Sequence, residues 1–216
     1  MPAKTGASAY HHGDLRRALL AAAEGVLAER GVEGFTLREC ARRAGVSHAA
    51  PAHHFGDVTG LLTALAALGF ETLTAAMREA RAGIEDPAER LRAIGHGYVA
   101  FARAYPERFR LAFSWHRLNH SDPALHAAGE AAFAELETAI RLAAGRASEP
   151  LEGELLAELV HAWSVVHGFS HLLLAGQLNH TIAAEGETAL ASLLEGVVRR
   201  LGPAARDERR ERKKPG

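Results

Sequence analysis

Gly34-Phe35-Thr36-Leu37-Arg38-Glu39-Cys40-Ala41-Arg42-Arg43-Ala44-Gly45-Val46-Ser47-His48-Ala49-Ala50-Pro51-Ala52-His53-His54-Phe55 is the stretch that decides the fold of this chain. Thr36 suits an N-cap, and Glu39 three residues on completes the pattern of a reciprocal capping box. Leu37, Cys40, Ala41 and Ala44 recur at helical spacing and mark one apolar face. Gly45 supplies the left-handed residue that ends the helix. Val46 is an apolar plug for the turn, and Ser47 is expected to cap a second helix running to Phe55. Pro51 then falls near that helix start, where its missing amide is best tolerated. Two short helices joined this way form the helix-turn-helix plan, whose second helix enters a DNA major groove.

The shape alone fits an ordinary αα-hairpin as well as a DNA reader, because short helix pairs are common units. The side chains of the second helix suit the second role. Ala49 and Ala50 would let the backbone approach base edges, and a methyl suits a thymine methyl. Ser47, His48, His53 and His54 have the reach for bases or phosphates, while Phe55 is expected to turn inward.

Four stretches at family spacing separate the two readings. They are Tyr10-His11-His12-Gly13-Asp14-Leu15-Arg16, Gly34-Phe35-Thr36-Leu37-Arg38, Ala44-Gly45-Val46-Ser47, and His54-Phe55-Gly56-Asp57 followed by Leu61-Leu62. Together they resemble the DNA-binding domain of the TetR/AcrR family of bacterial transcriptional regulators, over residues 10–62. The resemblance implies an all-α fold, with a three-helix helix-turn-helix domain ahead of a six-helix ligand-binding and dimerisation bundle. It also implies DNA contacts from Arg16, Thr36, Arg38, Ser47, His48, Ala49, Ala50, His53 and His54. Two positions depart from the pattern. The family usually has an aromatic where this chain has Ala52, and a lysine where it has Val58. Both typically touch the DNA backbone, so phosphate contacts are expected to be weaker or differently placed.

Charge is nearly balanced over residues 1–60. Lys4, Arg16, Arg17, Arg30, Arg38, Arg42 and Arg43 outnumber Asp14, Glu24, Glu29, Glu33, Glu39 and Asp57 by one. Phosphate binding needs local rather than global positive charge, and Arg16, Arg38, Arg42 and Arg43 are the candidates for a patch. The whole chain of 216 residues carries net charge −1, which excludes strong global steering towards nucleic acid. Its 48% hydrophobic content is enough for a sizeable core in one or two domains. The single cysteine, Cys40, excludes an internal disulfide and is expected as a small core residue rather than a redox sensor. The first residues lack a signal peptide's apolar run, and no stretch reads as a charge-free membrane span, so a cytoplasmic location is expected.

The remainder has helical period throughout. A first helix is expected from Asp14 to Gly31 with Leu15, Leu19, Ala22, Val26 and Leu27 inward. A longer one from about Asp57 carries Leu61, Leu62, Leu65, Leu68, Leu73 and Met77. Asp86-Pro87-Ala88-Glu89 opens another, with cap, first-turn proline and returning glutamate in order. Tyr105-Pro106 breaks that helix and starts a short one reaching Phe113. Asp122-Pro123 opens the helix of Leu125, Phe133, Leu136 and Ile140. After a loop at 145–150 comes a strongly apolar helix reaching Gly176. A linker over 179–186 leads to a last helix striped with Leu190, Leu193, Leu194, Val197 and Val198. The division expected is a DNA-binding domain over 1–60, a helical domain over 61–204, and a charged, solvated tail over 205–216.

The helical domain is rich in aromatics: Tyr98, Phe101, Phe109, Phe113, Trp115, Phe133, Trp163 and Phe169. Any one of them can simply fill a core. Taken with the family resemblance, Phe101, Phe113, Trp115, His116, Phe133, Trp163, His167 and His171 are the candidates to line an effector pocket. Trp163-Ser164-Val165-Val166-His167-Gly168 resembles a Trp-His-Gly signature of one TetR/AcrR subgroup. His167 and His171 have the i, i+4 spacing of a transition-metal pair, but no acidic partner, second cysteine, HExxH or CxxC pattern accompanies them. No metal and no cofactor is expected. The last two helices have apolar faces wide enough to pair with a second copy. An isologous dimer would present two heads to a palindromic operator with half-sites about 34–36 Å apart, or a multiple of that.

The expected function is a ligand-responsive transcriptional regulator: a dimeric repressor that an unknown small molecule releases from double-stranded operator DNA. A metal-sensing regulator of the same fold and a helical adaptor without DNA binding are the alternatives. An enzyme is not expected, since no nucleophile elbow, phosphate loop or carboxylate pair frames Ser164, His167 or Ser170.

Overall fold

The structure, a computed structural model, describes residues 12–182 and 186–202. The expected charged tail over 205–216 lies outside them. Among the described residues the chain is helical, with no strands. The helices are α1 His12–Arg30, α2 Leu37–Ala44, α3 Ala50–Phe55, α4 Val58–Ala80 and α5 Pro87–Ala104. They continue as α6 Pro106–Ala112, α7 Pro123–Ala143, α8 Gly153–Leu174, α9 Asn179–Ile182 and α10 Gly186–Val198. A 3-10 turn at Trp115–Arg117 follows α6. The turn and the four-residue α9 fall where only connecting chain was expected. Each is shorter than the window in which an apolar period becomes visible.

Two compact packing units divide the chain. The first takes residues through Phe70 together with Tyr105–Ala128; the second takes Glu71–Ala104 and residues from Gly129 on. The boundary expected near residue 60 therefore falls inside α4, and the first unit extends past it. Its core shows why. Val26 and Leu27 of α1, Cys40 of α2 and Leu61, Leu62 and Leu65 of α4 share one buried cluster with Leu111, Leu118 and Leu125. Polar ties reinforce it: Arg108 pairs with Glu24 at 2.5 Å. The buried Thr63 hydroxyl donates to the Thr59 carbonyl at 2.7 Å and accepts the Asn119 N–H at 2.9 Å.

In the second unit, α5 packs on α8 and α10. Gly97 lets α5 reach the backbone of α4: a Cβ there would lie 2.6 Å from the Ala76 carbonyl oxygen. Glu135 of α7 is buried and receives Arg78 Nε at 2.5 Å and Arg81 Nε at 2.9 Å. Burial raises its pKa, but the two guanidiniums outweigh that and hold it below the ordinary carboxylate range.

α4 is long and apolar enough to cross a membrane by length and composition. Just over half (56%) of its most apolar window is buried inside the fold, as in a core helix whose neighbours cover it on several sides.

Candidate nucleic-acid interface

The two short helices form as their caps dictate. Thr36 is extended, and its hydroxyl accepts the Glu39 N–H at 3.3 Å. Gly45 adopts φ 68°, its N–H donating to Arg42 O, while the Val46 N–H donates to Ala41 O. That pair of bonds is a Schellman motif, which satisfies two of the carbonyls left open at the end of α2. The glycine meets nothing within 4 Å of a notional Cβ, so its value there is conformational.

The second helix differs from expectation. It spans Ala50–Phe55, six residues rather than nine, with Ala49 at its N-cap and no side-chain cap. Ser47 is no cap; its carbonyl accepts the Ala50 N–H at 3.0 Å in a preceding turn. Pro51 occupies the second helical position, where an N–H has no intrahelical partner, and its ring is buried. Ser47, His48, Ala49 and His53 are exposed, and Ala50 and His54 half-buried. Phe55 packs against the core of the first unit from a half-buried position, and the Arg16 guanidinium lies 5.1 Å from its ring centroid.

Beside this turn is a cleft of about 430 Å³ lined by Arg30, Thr36, Arg38, Glu39, Arg42 and His48. Glu39 occupies it without closing the capping box. Its carboxylate accepts Arg42 Nε at 2.9 Å, Arg42 Nη2 at 2.7 Å, Arg43 Nε at 3.0 Å and Arg30 Nη2 at 3.2 Å. The hydrogen bond from Arg42, followed by that from Arg43, holds its pKa at about 2. Arg43, expected in a phosphate-facing patch, is spent between Glu39 and Glu29 and is only 19% exposed. Arg30 joins the cleft from the last turn of α1. Its sequence signal was weak, because nine residues and a glycine turn separate it from Glu39. Cys40, next to Glu39 in α2, is fully buried, and burial pushes its thiol up to about 11.

The residues proposed to line an effector pocket are divided between the two units. Phe113 of the first unit packs its ring near Phe70 and Phe109. Trp115 is 68% exposed and stacked on His120 at 3.6 Å, and His116 is exposed beside it. Phe101 is buried core of the second unit, where Phe133 is 38% exposed. The structure does bring Trp163, His167 and His171 together along α8, with ring centroids 6.2 and 4.6 Å apart in succession. Tyr98 of α5 completes the set, its hydroxyl 2.7 Å from His167 Nδ1. Burial, and then the neighbouring His171, lowers the His167 pKa to about 4, so its imidazole is neutral at pH 7. Among the described residues no three His, Cys, Asp or Glu side chains converge as a metal site would require.

Residues 19–65 match the family described as bacterial regulatory proteins, tetR family, and residues 91–197 match the tetracyclin repressor-like C-terminal domain. The two matches together cover more than two thirds of the chain. This chain belongs to the tetR family. A Rhodococcus sp. RHA1 protein of unknown function is 34% identical to it, over 90% of this chain and 99% of the other, with a TM-score of 0.72. The tetR-family transcriptional regulator PfmR from Thermus thermophilus shares the fold at 19% identity, with TM-score 0.61 over 87% and 99% of the two chains. So does a TetR variant from Acinetobacter baumannii AYE solved with minocycline, at 21% identity and TM-score 0.59, over 88% and 93%. The sequence has no match among curated proteins. As a tetR-family member the chain is a transcriptional regulator, with a helix-turn-helix DNA-binding domain, and not an enzyme.

Proposed function

We propose that this regulator is a cytoplasmic, dimeric repressor that reads a palindromic operator and leaves it when a small molecule binds. The observation that carries the reading is the exposed row Ser47, His48, Ala49 and His53 beside the arginine cleft. None of these side chains is in the core, and they occupy the turn and front of the second helix, which enters the groove in such motifs. Ser47, His48, Ala49, Ala50, His53 and His54 face base edges; Arg16, Thr36 and Arg38 serve phosphates. Arg43 is left to structure.

Dimerisation is supported by α8. Leu156, Val160 and Trp163 lie within one stripe of that helix and are 42%, 47% and 38% exposed. Uncovered apolar side chains at i, i+4 and i+7 favour burial against another helical surface. A second copy supplies that surface and duplicates the reading head. An unknown small molecule is the effector; the minocycline complex of the Acinetobacter protein supports that class of ligand. α4 is the mechanical element. Its first half contributes Leu61, Leu62 and Leu65 to the first unit's core, and its second half carries Arg78, with Arg81 just past its end, to Glu135. Effector and DNA then oppose each other through one coupling free energy, typically about 1–3 kcal/mol.

Fluorescence anisotropy with duplexes from the region upstream of the chain's own gene tests the reading. A sequence-selective complex of two copies per duplex is expected, and His48→Ala with His53→Ala should erase selectivity. Binding to no duplex, even at low salt, overturns it.

A further inference from the structure

Glu39 combines features that phosphate contact alone does not require. It lies in the cleft that faces DNA in the reading above, yet it is an acid, and its side chain is only 11% exposed. It takes both Nε and Nη2 of Arg42, the Nε of Arg43 and an Nη2 of Arg30. Paired bonds of this kind to one guanidinium are charge-assisted and directional. Glu29 repeats the arrangement on the far side of Arg43, taking Nη1 at 2.8 Å and Nη2 at 2.5 Å. The cap of α2 uses the Glu39 backbone N–H and not the carboxylate, so charge and capping are separable at this residue.

Sequence-independent attraction to DNA grows with the number of phosphates that free cations neutralise. A guanidinium already matched by a carboxylate releases fewer counterions from the duplex. We propose that Glu39 is a restraining, positioning residue of the DNA-binding head: it withholds the charge of Arg42, Arg43 and Arg30 from the phosphate backbone and keeps non-specific affinity low. The proposal rests on the DNA-binding reading. Its consequence is selectivity. In a genome the useful quantity is the ratio of specific to non-specific binding, and weakening the electrostatic share raises the weight of base contacts.

Glu39→Gln removes the charge and keeps the cap. Binding to a random-sequence duplex, followed by anisotropy from 50 to 200 mM KCl, should strengthen. The slope of log affinity against log salt should become more negative by about 0.9 for each additional phosphate neutralised. One such phosphate makes the improvement over wild type about 3.5-fold larger at 50 mM than at 200 mM. Adding Arg42→Ala to Glu39→Gln should return the slope towards the wild-type value. A folded Glu39→Gln with an unchanged or shallower slope overturns the proposal, because the carboxylate would then be a scaffold for the arginines and nothing more. If Glu39→Gln does not fold, Arg42→Ala in the wild-type background must leave the slope unchanged, because its charge is already withheld, and a shallower slope there is equally decisive against the proposal. Wild type that binds no duplex sinks the DNA-binding reading and this one together. Wild type that binds, with an unaltered slope in Glu39→Gln, sinks this one alone.

Discussion

Gly45 offers a quantitative test of the helix-turn-helix geometry. Its φ of 68° and ψ of 31° lie in the left-handed region, and a Cβ added there meets no atom within 4 Å. Gly45→Ala therefore causes no collision, and its whole cost is conformational. An L-residue with a Cβ pays about 1–2 kcal/mol in that region. The lower entropy of an unfolded chain carrying alanine returns about 0.4–1 kcal/mol. A net loss of about 1 kcal/mol remains, which in a chain of this size lowers the thermal midpoint by about 2–4 °C. Gly45→Asn should lose less, since asparagine visits the left-handed region with local hydrogen bonding. Circular dichroism melts of the three proteins side by side make the comparison. An alanine variant more stable than wild type, or an asparagine variant as damaged as the alanine one, would refute the Schellman turn as the reason for glycine here.

Gly97→Ala and Gly129→Ala make the same chemical change in two helices and should have opposite signs. At Gly97 the new methyl meets Ala76 O at 2.6 Å and Met77 Cα at 2.9 Å, so overpacking of up to about 3 kcal/mol exceeds the roughly 1 kcal/mol gain in helix propensity. Gly129 meets nothing within 4 Å, and its variant should melt about 2–4 °C higher; equal shifts would exclude the close α4–α5 approach. His167 predicts a pH dependence. With its folded pKa near 4 against an ordinary 6.5, the unfolded chain binds the proton more readily. Stability is thus full above about pH 6.5 and falls as pH drops towards 4, and His167→Gln should flatten the melting midpoint across that window.

Much of the fold was legible because its signals are local. The Thr36 cap, the Gly45 stop, the break at Tyr105-Pro106 and the cap at Asp86 each act over about one helical turn, and each appears as expected. Apolar spacing likewise placed Leu19, Val26, Leu61, Leu65 and Ile140 in the interior. The site was legible in part. Ser47, His48, Ala49 and His53 are exposed in the reading turn, but the second helix is shorter than its residue types suggested. A serine at a plausible cap position competes with a turn that satisfies the same backbone groups, and only the surrounding packing chooses between them.

By itself the sequence determined the helices, their stops and the family, because caps, turn glycines and apolar period involve residues at most a few positions apart. Tertiary structure alone decided which charges meet and which aromatics are covered. Arg30 reaches Glu39, Arg43 reaches Glu29, Arg78 reaches Glu135 across 57 residues, and residues 105–128 join the core of the N-terminal helices. Trp115 ends on the surface, although its residue type alone suggested a pocket wall. Those outcomes depend on distances between segments remote in the chain, which periodicity cannot encode.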